Sequence, residues 1–135
     1  MSDVLGGLLG KGALEVRIMD LSGANGSDPV EVVTGFTTIE HANAFARRYV
    51  RDSIERCRGR GMDASAVLSA WFAFGEDAEV DGAGEHAWSS RSEIKDFADA
   101  RPIDAEACNW RMLDPRRIDE DEDEEDPDDD DEETP

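Results

Sequence analysis

The stretch from Thr37 to Arg58 restricts the fold most strongly, because its apolar and small residues recur at helical intervals. Thr37 and Glu40 have the spacing of a capping box, and Gly59 and Gly61 follow the last periodic position. The residues that share one broad face of the helical wheel are Ile39, Ala42, Phe45, Ala46, Tyr49, Val50, Ser53, Ile54 and Cys57. A long helix with one apolar face predicts a second layer against which that face is buried.

Two runs that precede this helix predict the first strands of that layer. In "ALEVRIMDL", Leu14, Val16 and Ile18 alternate with Glu15 and Arg17, as in a half-buried strand. "PVEVVTGF" predicts a second strand, and "SGANGSD" between the two runs predicts a hairpin loop.

The chain after the helix predicts one central strand and a second, shorter helix. "SAVLSAWFAFG", residues 65–75, is apolar at nearly every position, which favours a strand covered on both faces with Trp71 in the core; a buried helix is the alternative. "EDAEVDGAGEHAW" predicts a turn region with a short fourth strand around Glu85–Trp88. Ser90 and Glu93 repeat the capping-box spacing and predict a helix across "RSEIKDFADA".

The last part of the body adds one or two helical turns over "DAEACNWRML", with Trp110 packing back on the body. The order β-β-α-β-(β)-α predicts an α+β fold, in which a three- to four-stranded sheet carries the long helix on one face. The predicted domains are a flexible lead at 1–12, a single α+β domain at 13–117 and a disordered polyacidic tail at 118–135.

The predicted tail is the run "IDEDEDEEDPDDDDEETP", residues 118–135, of which 14 residues are acidic and none is basic. Like charges repel and bury no apolar surface, so a disordered segment is expected. The whole chain has 34 acidic and 14 basic residues, which leaves a charge of −6 on residues 1–117. The tail can act as a solubilising segment, as a trap for a basic protein segment, or as a cover for a basic face of its own domain.

A basic face of that kind is predicted on the long helix. Four arginines lie close together on its polar side and are interpreted as an anion- or partner-binding ridge, because guanidinium groups bind carboxylate and phosphate in bidentate fashion; they are Arg47, Arg48, Arg51 and Arg58. The alternative is a solvated helix face with local ion pairs to Glu40, Asp52 and Glu55.

A ligand pocket is the second interpretation, with Trp88 and His86 as the contact residues, since His86 can act as an acid or base near neutral pH. No catalytic residue is identified. Asp77, Glu79 and Asp81 match part of a calcium loop, but Trp88 stands where a bidentate glutamate is required, so no metal is predicted. No other cofactor is predicted, and the two cysteines, Cys57 and Cys108, are expected to be inert thiols.

These features favour a non-enzymatic binding or adaptor protein whose acidic tail engages a basic protein segment or the protein's own arginine ridge. The alternatives are a small ligand-binding domain or enzyme near Trp88 and His86, and a nucleic-acid binder gated by the tail. The negative body disfavours nucleic acid as a partner. A cytoplasmic protein without a membrane span is expected, and an exposed sheet edge would support a homodimer.

Overall fold

The computed structural model describes residues 14–117, which fold into a three-stranded sheet and helices, so the predicted α+β class is confirmed. The predicted lead at 1–12 and the predicted tail at 118–135 lie outside the described residues. The strands are β1 (Leu14–Asp20), β2 (Glu31–Phe36) and β3 (Glu76–Asp81). The α-helices are α1 (Ile39–Cys57), α2 (Ala64–Phe74) and α3 (Ile94–Asp99).

The sheet is antiparallel, with the strand order β2-β1-β3. On its inner face Val16 of the central strand lies opposite Val33 on one side and Val80 on the other. Because successive side chains alternate between faces, the next residue, Arg17, points outward and lies opposite Glu79. The two strands predicted before the long helix are confirmed.

The long helix α1 is confirmed, with a correction at its start. Its N-cap is Thr38, whose hydroxyl accepts a hydrogen bond from the backbone N–H of His41 at 3.0 Å. The predicted capping box of Thr37 and Glu40 is therefore displaced by one residue, because the extended residue directly before Ile39 takes the cap position. Its buried apolar residues are Ala42, Phe45, Ala46, Val50 and Ile54.

The predicted central strand at 65–75 is wrong, because these residues form the helix α2. A run that is apolar at nearly every position does not separate a buried strand from a helix by periodicity. The ends of the segment decide: the Asp63 side chain accepts from the Ala66 N–H at 2.8 Å, and the Gly75 N–H donates to the Trp71 carbonyl at 2.7 Å. Four alanines in eleven positions also favour the helix.

The third strand lies directly after α2, where a turn was predicted. β3 reads EDAEVD, and its four carboxylates resemble loop composition although Ala78 and Val80 alternate toward the core. The predicted fourth strand around Glu85–Trp88 is also wrong, because Gly84–His86 form a 3-10 turn. Gly84 has a φ of 59°, a left-handed conformation that suits a turn and not a strand.

The C-terminal part of the body packs on α1. The predicted helix at 91–100 is shorter than expected, since Ser90–Ser92 form a 3-10 turn before α3 and the Glu93 side chain does not cap α3. Two further 3-10 turns follow, at Ala105–Cys108 and Trp110–Leu113. The prediction that Trp110 packs back on the body is confirmed, because its ring lies 4.9 Å from the ring of Tyr49.

Trp71 lies at the centre of the core, as predicted, and is 1% exposed. Its indole N–H donates to the Ser53 hydroxyl oxygen at 3.1 Å, and the same oxygen accepts from the Glu76 N–H at 2.9 Å. The Ser53 hydroxyl of α1 therefore accepts one hydrogen bond from α2 and one from β3, the two elements on either side of Gly75. A Cβ at Gly75 would lie 2.2 Å from the Trp71 ring, so this turn has no space for a side chain.

Candidate functional site

The sheet face turned away from the helices is acidic. Strand alternation places Glu15 and Arg17 of β1 on this face, together with Asp77, Glu79 and Asp81 of β3. Glu15 lies opposite Asp81, a pairing of like charges that costs stability. Arg17 lies 3.7 Å from Glu15 and opposite Glu79. Arg91 lies near Asp77, so two guanidinium groups stand against four carboxylates.

The described chain ends at the outer edge of the same sheet, beside β2. The Arg116 guanidinium donates two hydrogen bonds to Asp114, at 2.9 and 2.8 Å, and also pairs with Glu31 of β2. Burial alone would raise the pKa of Asp114, but the hydrogen bonds from Arg116 outweigh burial and lower this pKa. Pro115 lies against Gly35, where a Cβ would come within 3.0 Å of the proline Cβ. These contacts fix where the chain leaves the body.

Two of the predicted ridge arginines bind groups in the C-terminal segment. Arg47 forms a bidentate pair with Glu93, at 2.5 Å from Nε and 2.8 Å from Nη2. This hydrogen bonding lowers the pKa of Glu93 and raises that of Arg47. Arg48 donates to the Asn109 carbonyl at 3.2 Å and lies 3.4 Å from the Glu106 carboxylate.

The other two arginines are more deeply buried. The Arg58 side chain, 8% exposed, donates to the Glu55 carboxylate at 2.8 Å and to the Phe97 carbonyl at 2.7 Å. Arg51 donates to the Ala100 carbonyl at 2.6 Å and stacks 4.5 Å from the centre of the Phe97 ring. Within the described residues its Nη1 has no hydrogen-bond partner, and that atom has almost no accessible surface. All four ridge arginines thus tie α1 to other groups of the chain, and their role in anion binding stays a prediction.

Trp88 and His86, the predicted ligand contacts, lie on a loop held by α1. Asn43 accepts from the Trp88 N–H at 2.8 Å and donates to the His86 carbonyl at 2.9 Å, so one side chain fixes the loop. The Trp88 indole donates to Glu93 at 2.8 Å, the same carboxylate that binds Arg47. The His86 imidazole is 70% exposed.

A crevice of about 270 Å³ lies between this loop and β3, and Trp88 lines it together with Asp77. Burial raises the pKa of Asp77, while a hydrogen bond from Ser90 acts in the opposite direction. His86 is not among the lining residues, so the structure does not bring the two predicted contact residues into one pocket.

The two cysteines are half-buried free thiols. Burial raises the pKa of both Cys57 and Cys108, which keeps them protonated and weakly nucleophilic. Between residues 14 and 117 no cluster of three or more His, Cys, Asp or Glu side chains is arranged to hold a metal ion.

The outward face of α2 is apolar and exposed, which sequence reasoning missed because it placed these residues in a buried strand. Phe72 is 53% exposed on this face. An open groove of about 660 Å³ runs along it beside α3, and Leu68, Lys95 and Asp99 form part of the lining. Phe74, 76% exposed, lies on another side of the helix, because two residues turn the helix by about 200°. The sequence signal for the groove face was a helix whose uncovered side has serines as its polar residues and no charge.

No family model, no curated protein and no solved structure matches this chain. None of the helices within residues 14–117 combines the length and apolarity that a membrane crossing requires. The described residues form a small α+β domain with an acidic outer sheet face and an apolar helix face. Function is inferred from these two surfaces.

Proposed function

We propose that this protein is a non-enzymatic binding protein that captures a basic protein segment through its acidic outer sheet face and the acidic run of residues 118–135. The observation that carries the proposal is that the described chain ends at the β2 edge of the sheet. The described chain ends at Arg117, beside β2, on the sheet whose outer face has four carboxylates against two guanidinium groups. The acidic run thus begins one residue after the edge of a sheet with an acidic face, and both charges attract cationic segments.

The arginine ridge supports this choice over an intramolecular role for the run. Arg47 and Arg58 form bidentate pairs with Glu93 and Glu55, and Arg51 binds a carbonyl and a ring. A carboxylate of the run would have to displace these partners, and the body as a whole carries a charge of −6. An external basic segment meets no such competition.

Neither alternative function has comparable support. The exposed His86 does not line the crevice of Trp88, so the ligand-binding interpretation lacks a shared pocket. A nucleic acid would be repelled by the net charge of the body and by the acidic run, and the guanidinium groups predicted to bind it already have partners.

The test measures binding of a fluorescein-labelled nona-arginine peptide by anisotropy at about 50 and 300 mM NaCl. We expect the full chain to bind at low salt and to lose at least about tenfold in affinity at high salt, because the attraction is screened. A full-length variant with residues 119–126 changed to Asn and Gln should bind at least about tenfold more weakly at low salt. The matched face variant, Glu79→Gln with Asp81→Asn, should lose about two- to fivefold.

Affinity that changes with neither salt nor neutralisation would refute the proposal. A labelled single-stranded RNA of similar length serves as the second probe, and we expect neither the wild-type chain nor the variant with residues 119–126 neutralised to bind it. Binding of the RNA by the neutralised variant and not by the wild type would instead support the nucleic-acid alternative.

A further inference from the structure

The structure carries one inference beyond the proposed function, and it concerns α2. We propose that the outward face of α2 pairs with the same face of a second copy of this chain, forming a symmetric dimer. Leaving Phe72 53% exposed beside the half-buried Leu68 is unfavourable in a monomer, since burying each apolar Å² stabilises by about 25 cal/mol. An exposed apolar helix face beside a groove is typical of an interaction surface.

The shape of this face suits pairing with itself. Ala64, Leu68 and Phe72 lie four residues apart and form one row, in which Leu68 and Phe72 are the large side chains. Ser65, Ser69 and Ala73 form the neighbouring row of small side chains on the same groove. Rows of residues at i and i+4 pack as ridges into grooves, so the larger row of one copy fits beside the smaller row of the other.

The charges at the rim of the groove are also self-complementary. Lys95 and Asp99 lie one helical turn apart on α3, both exposed, and neither has an ion-pair partner among residues 14–117. In a two-fold symmetric dimer the two α3 helices run in opposite directions across the axis, so that the Lys95 end of one copy lies beside the Asp99 end of the other. Lys95 of one copy can then pair with Asp99 of the second copy, twice per dimer.

The first test is sedimentation equilibrium of the full chain between about 1 and 500 µM, a range that covers weak interfaces of small area. We expect the mass to rise from 14.8 kDa toward twice that value. The variant Phe72→Ser should remain monomeric throughout, with an unchanged circular dichroism spectrum because the Phe72 side chain is exposed. A control variant, Val30→Ser with Val32→Ser, removes exposed apolar residues from β2 and should associate like the wild type.

The second test uses charge reversal and mixing. Lys95→Asp places two acids on the rim, and Asp99→Lys places two bases there, so each variant alone should dimerise about tenfold more weakly than wild type. An equimolar mixture should form a heterodimer with affinity near that of wild type, because the acidic rim of one chain faces the basic rim of the other. A gain in affinity that is seen only in the mixture cannot come from a contact restored within the α3 helix of one chain.

A wild-type chain that stays monomeric at 500 µM overturns the dimer, as does a mixture that is no tighter than its components. Salt separates this inference from the proposed function. Added salt should tighten the dimer of the full chain by screening its net charge of −20, whereas it should weaken binding of the arginine peptide. Either result can fail while the other holds.

Discussion

The helices α1 and α2 use their outer faces in opposite ways. α1 is amphipathic and long, and the arginines on its polar side bind groups elsewhere in the chain: Arg47 reaches Glu93, and Arg58 reaches Glu55 and the Phe97 carbonyl. α2 is apolar around its circumference, and only Val67 and Trp71 of its residues are fully buried. The charged helix is the one enclosed by the fold, and the apolar helix presents its side chains to solvent.

Whether a residue of this small domain is buried or exposed therefore does not follow from its charge or apolarity alone. The C-terminal segment from Glu93 to Asn109 has few apolar residues of its own, and it is held on α1 through guanidinium groups. In α2, Val67 and Trp71 lie in the core and Leu68 packs partly against it, whereas Phe72 and Phe74 have no layer to cover them.

The largest effect is expected for Trp71→Ala on the inner face of α2. Removing the buried indole leaves a cavity and takes away one of the two hydrogen bonds that Ser53 accepts, and should lower the free energy of unfolding by about 3–5 kcal/mol. The matched change at an exposed position of the same helix, Phe74→Ala, should alter it by about 0.5 kcal/mol or less. Urea unfolding followed by circular dichroism, below the concentration of dimer formation, gives both values. Equal losses would mean that α2 has no free face.

The next effect concerns the arginines of α1. Arg58→Met should lower the free energy of unfolding by about 2–3 kcal/mol, because the Phe97 and Ala98 carbonyls and the Glu55 carboxylate lose their donor. Arg56, which is 63% exposed and pairs with Asp52, is the matched control. Arg56→Met should cost about 0.5 kcal/mol or less, as exposed ion pairs do. A small loss for Arg58→Met would instead restore the ridge as an available anion-binding face.

Sequence reasoning found the parts of the fold that have strong local periodicity. β1, β2 and α1 have clean alternation or one apolar face, so their burial follows from the pattern. The segment at 65–75 has only Ser65 and Ser69 as polar positions, and a spacing of four fits one face of a strand as well as of a helix. β3 has four carboxylates in six residues, a composition typical of turns.

The candidate site was less accessible to sequence reasoning than the fold. Arg47, Arg51 and Arg58 were identified as a cluster, but their partners lie 39 to 49 residues away, except for Glu55. No local pattern reports such pairings. The acidic sheet face required the register of β1 against β3, which places Glu15 opposite Asp81 across 66 positions of sequence.

A smaller effect is expected at the edge where the chain leaves the sheet. Gly35 has a φ of 102°, and a Cβ there would lie 3.0 Å from Pro115, so Gly35→Ala should lower the free energy of unfolding by about 1–2 kcal/mol. Gly26 has a φ of 62° with open space around it, so Gly26→Ala should cost about 1 kcal/mol or less from backbone strain alone. Urea unfolding of the two variants isolates the Pro115 contact. Identical costs would show that this contact does not hold the edge.

The smallest effect is the pH dependence of the pair formed by Arg47 and Glu93. Hydrogen bonding from Arg47 lowers the pKa of Glu93 in the folded state below its unfolded value of about 4.3. The unfolded state therefore binds more protons in acid, so this contribution is fully present above about pH 5 and is lost as the pH falls through the folded pKa. Because both side chains are partly exposed, the coupling should be about 0.3–1 kcal/mol at pH 7.

A double-mutant cycle of Arg47→Met and Glu93→Gln measures that coupling free of other effects. Glutamine keeps an oxygen that can accept from the Trp88 indole N–H, so the cycle reports the charge pair and not the loop contact. The coupling free energy should approach zero at a pH below the folded-state pKa of Glu93, where the carboxyl is protonated in both states. A coupling that persists unchanged at that pH would show that Arg47 acts by packing on Phe97, 5.4 Å from the ring centre, and that charge is not what holds the C-terminal segment on α1 at this position.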